Sequence, residues 1–175
     1  MNITDNELKN YINTSNELDN PIYNRALAEK FDWLIPRNVW SGKKITDCTG
    51  TDGEDGFWPG APEEHPDYDY SYTELNNIPD GWRKAFGWTL VCDIDAALTP
   101  QLRERFYITD IKEKWGVLRI STSYVNGALS DVLHQYEEAS QYVCIACGQR
   151  ATHMTTDWIS PLCDDCWKKL KERQN

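Results

Sequence analysis

The sequence predicts an α+β fold in which helices surround a small β-hairpin and a treble-clef-like four-cysteine zinc module follows at the C-terminus. Three features support this prediction. Apolar residues recur at helical spacing over residues 82–98 and 129–139, and two alternating segments between them flank a glycine-containing turn. Two Cys-x2-Cys pairs follow. We therefore expect an α+β domain over residues 1–143 and a zinc module over residues 144–175, packed on it.

Short helices are predicted over residues 5–13 and 20–31, where Asn20 is a capping residue followed by proline at the first helical position. A longer helix is predicted from Asp80 onward. Its apolar side chains recur every four residues: Trp82, Phe86, Leu90, Ile94 and Leu98. Gly87 costs about 1 kcal/mol relative to alanine in a helix, so a break there is an alternative. Thr99 and the proline after it begin a further turn or short helix.

A β-hairpin is predicted from Phe106–Lys112 and Val117–Tyr124, with its turn over Lys112–Gly116. The dipeptide Asn126-Gly127 is expected to end the second strand. An amphipathic helix then extends to about Tyr142. Its apolar face consists of Leu129, Val132, Leu133, Tyr136 and Ala139.

The cysteine pairs predict a structural zinc site. Cys144 and Cys147 are separated by fifteen residues from Cys163 and Cys166, the spacing expected when four thiolates bind one ion tetrahedrally. Gly148 allows the first pair to form a tight turn whose backbone N–H groups point at the sulfurs. Because four cysteines complete the coordination shell, we expect a structural ion, with rubredoxin-type iron as the alternative to zinc.

The residues between the pairs complete the treble-clef-like prediction. Arg150–Pro161 is expected to form a short hairpin, and Asp164 and Asp165 favour a helix start that carries Cys163 and Cys166 in its first turn. His153 could replace a cysteine ligand, but four thiolates already satisfy the coordination number.

Charge is distributed unevenly along the chain. The net charge is −10, and the stretch from Ile45 to Trp82 contains ten acidic residues and no basic residue, so the rest of the chain is balanced. Its glycines and prolines predict a long loop at about residues 45–80, called the acidic segment below. This balance disfavours binding of nucleic acid or an anionic membrane over the whole surface.

The acidic segment is predicted to be either a solvated loop or a partner-binding surface. The surface would combine carboxylates, which attract a basic partner, with tyrosines, which provide contact area. Its proposed residues are Asp67, Asp69, Tyr70, Tyr72 and Glu74. A calcium loop at Asp52–Gly56 is disfavoured because the spacing does not match that of an EF-hand.

The alternative functions use other residues. A nucleic-acid-binding module would use the basic last helix, which carries Lys168, Lys169, Lys171 and Arg173, together with Lys112, Lys114 and Arg119 of the hairpin. A solvated helix face, whose bases also balance the helix dipole, is the commoner interpretation of such a sequence. A small-ligand or nucleotide sponge would use an aromatic pocket.

We expect no enzyme activity, because the chain has no Gly-rich phosphate loop and no pair of carboxylates arranged for acid–base chemistry. The remaining thiols are interpreted as a buried small hydrophobe at Cys92 and an exposed thiol at Cys48. Neither a secretory signal nor a membrane-spanning run of apolar residues is seen, so a cytoplasmic protein with no membrane partner is expected. The oligomeric state is left open.

Several stretches of the sequence together resemble a family of small zinc-binding proteins carried by phages and prophages of Gram-positive bacteria. These stretches are Asn20–Tyr23, Leu34–Asn38 with Trp40, Tyr68–Glu74, Pro79–Gly87, Ile111–Gly116 with Leu118-Arg119, and the cysteine pairs with Trp158-Ile159. The resemblance spans about residues 20–167 and carries over no catalytic residue. It implies a mobile genetic element and action in the cytoplasm of a bacterial host.

The functional hypothesis is therefore a zinc-stabilised accessory protein that binds and modulates or inhibits a host factor. A nucleic-acid-handling defence effector such as a CRISPR nuclease is the expected kind of partner, contacted through the acidic segment. A host protein is favoured as partner over nucleic acid.

Overall fold

The computed structural model of the chain describes residues 2–37, 44–47 and 69–175. Within them, the helices are α1 (Asp5–Thr14), α2 (Pro21–Lys30), α3 (Asp80–Ala97), α4 (Pro100–Arg103), α5 (Gly127–Ser140) and α6 (Asp164–Gln174). The strands are β1 (Ile108–Lys114), β2 (Val117–Thr122), β3 (His153–Met154) and β4 (Pro161–Leu162). Single 3-10 turns occur at Asp32–Leu34, Ile45–Asp47 and Glu74–Asn77. The predicted α+β class is confirmed.

Polar residues at the helix starts explain where α2 and α5 begin. The Asn20 side chain accepts a hydrogen bond from the backbone N–H of Ile22 at 3.0 Å, as expected for the predicted cap of α2. The expectation that Asn126 ends the second strand is wrong, since β2 ends at Thr122. Asn126 instead caps α5, accepting from the N–H of Leu129 at 2.9 Å.

Helix α3 forms the centre of the domain and packs against α1 and α5. The side chains that recur every four residues are buried as predicted. The helix continues through Gly87, so the alternative of a break is wrong. A Cβ atom at Gly87 would lie 2.7 Å from the Cγ2 atom of Ile12 in α1, which shows that the glycine allows the two helices to approach closely.

A buried arginine joins α3 to the end of α1. Arg83 is 1% exposed. Its guanidinium donates hydrogen bonds to the carbonyl oxygens of Ile12 and Ser15 at 2.8 and 2.7 Å. It also donates to the carbonyl of Asn16 at 3.0 Å and to Asp80 at 3.1 Å. Because helix carbonyls at a C-terminus have no intrahelical partner, Arg83 satisfies groups that would otherwise be buried without a hydrogen bond.

The first hairpin packs on α5. Strands β1 and β2 pair antiparallel, with Lys114 opposite Val117. The turn therefore consists of Trp115 and Gly116 alone, and the predicted turn over Lys112–Gly116 is too long. Both turn residues have positive φ, 58° and 76°, as the two-residue turns that match strand twist require. The acidic Glu113 side chain accepts from the N–H of Gly116 at 2.7 Å and closes the turn.

Several predicted features lie outside the described residues: Trp40, Cys48, the Asp52–Gly56 motif and Asp67. Among the helices that the structure describes, none is long and apolar enough to cross a membrane.

Candidate metal centre and adjoining surfaces

The four predicted cysteine ligands meet at one point. The Sγ atoms of Cys144, Cys147, Cys163 and Cys166 all lie within 4.8 Å of one another. The sulfurs of Cys147 and Cys163 are 3.6 Å apart, too far for a disulfide bond. Tetrahedral bonds of about 2.3 Å to a central zinc ion place sulfur atoms roughly 3.8 Å apart. The cluster therefore fits a single metal ion with four thiolate ligands.

Local backbone geometry presents each pair. The first pair lies on a turn closed by a hydrogen bond from the N–H of Gly148 to the carbonyl of Cys144 at 2.9 Å. Gly148 has a φ of 84°, a conformation that glycine adopts without strain. In the second pair, Cys163 is the residue preceding α6 and Cys166 lies in its first turn. The helix start predicted at Asp164 is confirmed. So is the predicted order of a tight turn (Cys144–Gly148, called the knuckle below), a short hairpin and a cysteine-bearing helix.

The thiols perturb one another's ionisation. Burial raises the pKa of Cys144, but backbone N–H groups, first that of Cys163, outweigh it and lower this pKa to about 7. Burial raises the pKa of Cys166 to about 12, together with hydrogen bonds from the other three thiols. A divalent cation bound by the four sulfurs would favour the deprotonated form of all of them, because it compensates the charge of several thiolates at once.

His153 is not part of the cluster. Its Nε2 atom is 2.7 Å from Oδ1 of Asp164, which also accepts a hydrogen bond from the Thr152 hydroxyl at 2.7 Å. These hydrogen bonds, first that of Thr152, lower the pKa of Asp164. The His153 ring stacks on Trp167 at 5.0 Å between centroids. His153 thus connects β3 to α6.

The first turn of α3 holds the knuckle that carries Cys144 and Cys147 against the domain. The N–H of Gly81 donates to the carbonyl of Ile145, and the indole of Trp82 donates to the carbonyl of Val143, both at 2.9 Å. A Cβ atom at Gly81 would lie 2.2 Å from the carbonyl oxygen of Cys144. One at Gly148 would lie 2.6 Å from the carbonyl oxygen of Gly81. The two glycines allow backbone to pack directly on backbone.

The described part of the predicted acidic surface is engaged within the chain. Asp69 is exposed, and its carboxylate accepts from the N–H of Ser71 at 2.9 Å. The carbonyl of Tyr70 accepts from the buried side chain of Asn24 at 2.8 Å.

Tyr72 and Glu74, the other described members of that surface, share one hydrogen-bond donor. The Asn77 amide donates to the Tyr72 hydroxyl and the Glu74 carboxylate at 2.8 and 2.9 Å. Burial raises the pKa of Glu74. The segment from 69 to 77 is therefore held by local hydrogen bonds and anchored on α2 through Asn24.

The basic residues of α6 face solvent. Lys168, Lys169, Lys171 and Arg173 are all exposed. The ammonium of Lys171 lies 4.6 Å from the centroid of the Trp167 ring. Since His153 stacks on the same indole, Trp167 makes ring contacts with two side chains of its own module.

Cys92 is partly buried against the core, and burial raises the pKa of its thiol, as expected for an unreactive small hydrophobe.

A surface that the sequence did not indicate lies where the β1–β2 hairpin meets residues 144–175. Trp115 and Trp158 are 71% and 73% exposed. They line one groove of about 220 Å³, called the tryptophan groove below. Its lining residues are Glu113, Lys114, Trp115, Asp157, Trp158 and Ile159. The sequence feature that could have indicated this surface is Trp115 beside Gly116 in a turn. A large apolar side chain at the tip of a hairpin has no core to enter and stays exposed.

Comparison of the chain with family models, with curated protein sequences and with solved structures finds no match.

Proposed function

We propose that the chain is a non-catalytic, zinc-stabilised binding protein that recognises a macromolecular partner. The observation that carries the proposal is the cluster of four cysteine sulfurs within 4.8 Å of one another, seated against the first turn of α3. Four thiolates leave no coordination position for water or substrate, which favours a structural ion over a catalytic one.

Exposed aromatic residues support the binding role. Tryptophans are enriched among the residues that dominate protein interfaces, because they bury large area with few rotatable bonds. Two tryptophans more than 70% exposed at one groove bury little of their own apolar surface within this chain. A partner that covers the two indoles would gain the free energy of burying their apolar surface.

For the biological role, we propose that the chain is an inhibitor carried by a phage. Its partner would be a host protein with a basic surface. The net charge of −10 supports this choice, since it accelerates encounter with a basic surface and disfavours association with nucleic acid. The exposed carboxylate of Asp69 belongs to the contact that we propose for the acidic segment.

The metal content of the purified full chain tests the zinc proposal. We expect one zinc per chain by native mass spectrometry and elemental analysis, lost in Cys163→Ser. The matched control is Cys92→Ser, which alters a thiol outside the cluster and should retain the metal. If iron is found in place of zinc, the site stands but the identity of its metal changes. A chain with no stoichiometric metal would contradict the proposal.

Nucleic-acid binding is the second candidate, favoured by the four exposed bases of α6, none of which forms a salt bridge with another described residue. Neutralising Lys168 and Lys169 together should then weaken binding. It should also reduce the slope of log K against log salt concentration by about two. No binding of single- or double-stranded oligonucleotides at low salt would remove this candidate.

A further inference from the structure

The tryptophan groove is formed by both parts of the chain. Trp115 lies at the tip of the β1–β2 hairpin, and Trp158 lies on the loop between β3 and β4. The two loops touch, since a Cβ atom at Gly116 would lie 3.1 Å from Cγ2 of Ile159. The hairpin tip and the zinc module therefore position the two indoles relative to each other.

Each wall is closed by hydrogen bonds of its own. On one side, Glu113 accepts from the N–H of Gly116. On the other, the N–H of Thr155 donates to the carbonyl of Ser160 at 3.1 Å, and the N–H of Ser160 donates to the Thr155 hydroxyl at 2.8 Å. The same hydroxyl donates to the carbonyl of Trp158. Such preformed loops reduce the entropy lost when a ligand binds.

The size of the groove indicates one side chain as its occupant. Its volume of about 220 Å³ is below the roughly 300–1,000 Å³ typical of small-molecule sites. Its surface is mostly apolar, with the indoles of Trp115 and Trp158 beside Ile159.

Charge indicates which side chain fits. The groove is lined by two carboxylates, Glu113 and Asp157, and one base, Lys114. Asp157 is exposed and forms no ion pair with any residue in the described part of the chain. Tryptophan is the best aromatic partner for a cation, and a guanidinium stacks on an indole while hydrogen-bonding a carboxylate.

We propose that the tryptophan groove binds an arginine side chain presented by an extended basic segment of a partner protein. This inference rests on the proposed function and names the partner chemistry for it. The segment continues past Trp158 into a second, more polar groove of about 180 Å³ that shares Asp157 and Trp158 and is also lined by Lys171 and Gln174. Two adjoining grooves that share one indole suit alternate side chains of an extended peptide.

Single-stranded nucleic acid is the competing occupant and is disfavoured. Its phosphates would approach two carboxylates and a chain of net charge −10. The neighbouring indole of Trp167 is contacted by both His153 and Lys171, so it does not continue the row of aromatic residues as a free stacking surface.

The test is fluorescence anisotropy with the zinc-loaded full chain and a labelled nonapeptide of alternating arginine and serine. A glutamate–serine peptide and a labelled ten-nucleotide oligothymidylate are titrated in parallel. We expect binding of the arginine peptide alone. Trp115→Ala and Trp158→Ala should each weaken it by about tenfold or more, the range of interface residues that dominate affinity. Asp157→Lys should weaken it at least as much.

Tyr142→Ala is the matched control, because Tyr142 is 70% exposed and lies outside the groove. It should bind as the unaltered chain does. No binding of the arginine peptide up to about 1 mM, equal weakening by Tyr142→Ala, or tryptophan-dependent binding of oligothymidylate instead would each overturn the proposal.

Metal content is measured on the same samples to separate the two proposals. A zinc-loaded chain that ignores the arginine peptide would contradict the groove assignment and leave the zinc proposal standing. A chain without zinc that binds the peptide through both tryptophans would contradict the zinc proposal alone.

Discussion

The two parts of this chain are stabilised in different ways. The α+β domain has a continuous cluster of buried apolar side chains contributed by its helices and the β1–β2 hairpin. In residues 144–175, the buried apolar cluster consists of Cys144, Leu162 and Cys163, so two of its three members belong to the candidate metal site. Segments below about 40 residues rarely fold without a metal, a disulfide or a partner. The comparison teaches that the C-terminal part has little core of its own, and that the metal we propose for the cysteine cluster would take the place of one.

The strongest way to break this comparison is to remove the metal. Cys163→Ser, or chelation of the unaltered chain, should unfold residues 144–175 and leave the α+β domain folded. Structural zinc contributes about 10–16 kcal/mol of apparent binding free energy in finger peptides, far more than three buried side chains can replace. Tryptophan fluorescence and near-UV circular dichroism should show a partial loss. Full retention of both signals would show that the module folds without metal.

The second largest effect is expected in the domain, from Arg83→Leu. This change leaves the carbonyls of Ile12, Ser15 and Asn16 without their buried donor, so the free energy of unfolding should fall by about 3–5 kcal/mol. Urea denaturation measures it. Arg83→Lys, which keeps the charge but fewer donors, should recover part of the loss, and zinc content should be unchanged in both variants. A loss below about 1 kcal/mol for Arg83→Leu would contradict the capping role.

The contact between the two parts is tested by Gly81→Ala. The added methyl group would overlap the carbonyl of Cys144, so overpacking should cost about 1–3 kcal/mol and move the knuckle away from α3. Gly127→Ala is the matched control, because a Cβ atom there meets nothing within 4 Å. Thermal unfolding of both variants should show destabilisation at Gly81 only. Equal melting temperatures would contradict the close packing of backbone on backbone.

The smallest effect concerns Tyr136 in α5, whose hydroxyl donates to Asp93 in α3 at 2.5 Å. Burial and this hydrogen bond raise the pKa of Tyr136 from 10.0 to about 12. The protonated phenol therefore stabilises the fold fully below about pH 10, and this contribution is lost as the pH rises toward 12.

Tyr136→Phe should cost about 1 kcal/mol at neutral pH. Urea midpoints between about pH 9 and 12 should fall less steeply in this variant than in the unaltered chain. Parallel pH profiles would show that Tyr136 does not titrate with unfolding.

The clustering of the four cysteines at a candidate metal site was predictable from the sequence because it depends on their spacing. The four cysteines lie on a knuckle and on a helix start, both of which are local structures with their own residue preferences. The amphipathic faces of α3 and α5 were predictable for the same reason, since their periodicity is local. The hairpin turn was placed too broadly because a two-residue turn requires Trp115 itself to adopt positive φ, which its side chain does not favour.

Features that depend on contacts between distant residues were not predictable. Gly81 and Gly148 are 67 positions apart, and nothing in either local sequence indicates that their backbones meet. The tryptophan groove depends on a contact between Gly116 and Ile159 and so requires the packing of residues 144–175 on the domain. Arg83 likewise has the ordinary appearance of a basic residue on a helix, and only the position of α1 explains its burial.

Hydrogen exchange with and without a zinc chelator tests most directly the claim that metal replaces a core in residues 144–175. With zinc bound, we predict slow exchange of amides in α3, in the β1–β2 hairpin and in the zinc module, including that of Gly148. After chelation, protection should be lost throughout residues 144–175 and be retained in α3 and α5. Protection that survives chelation in both regions, or is lost equally in both, would contradict the account.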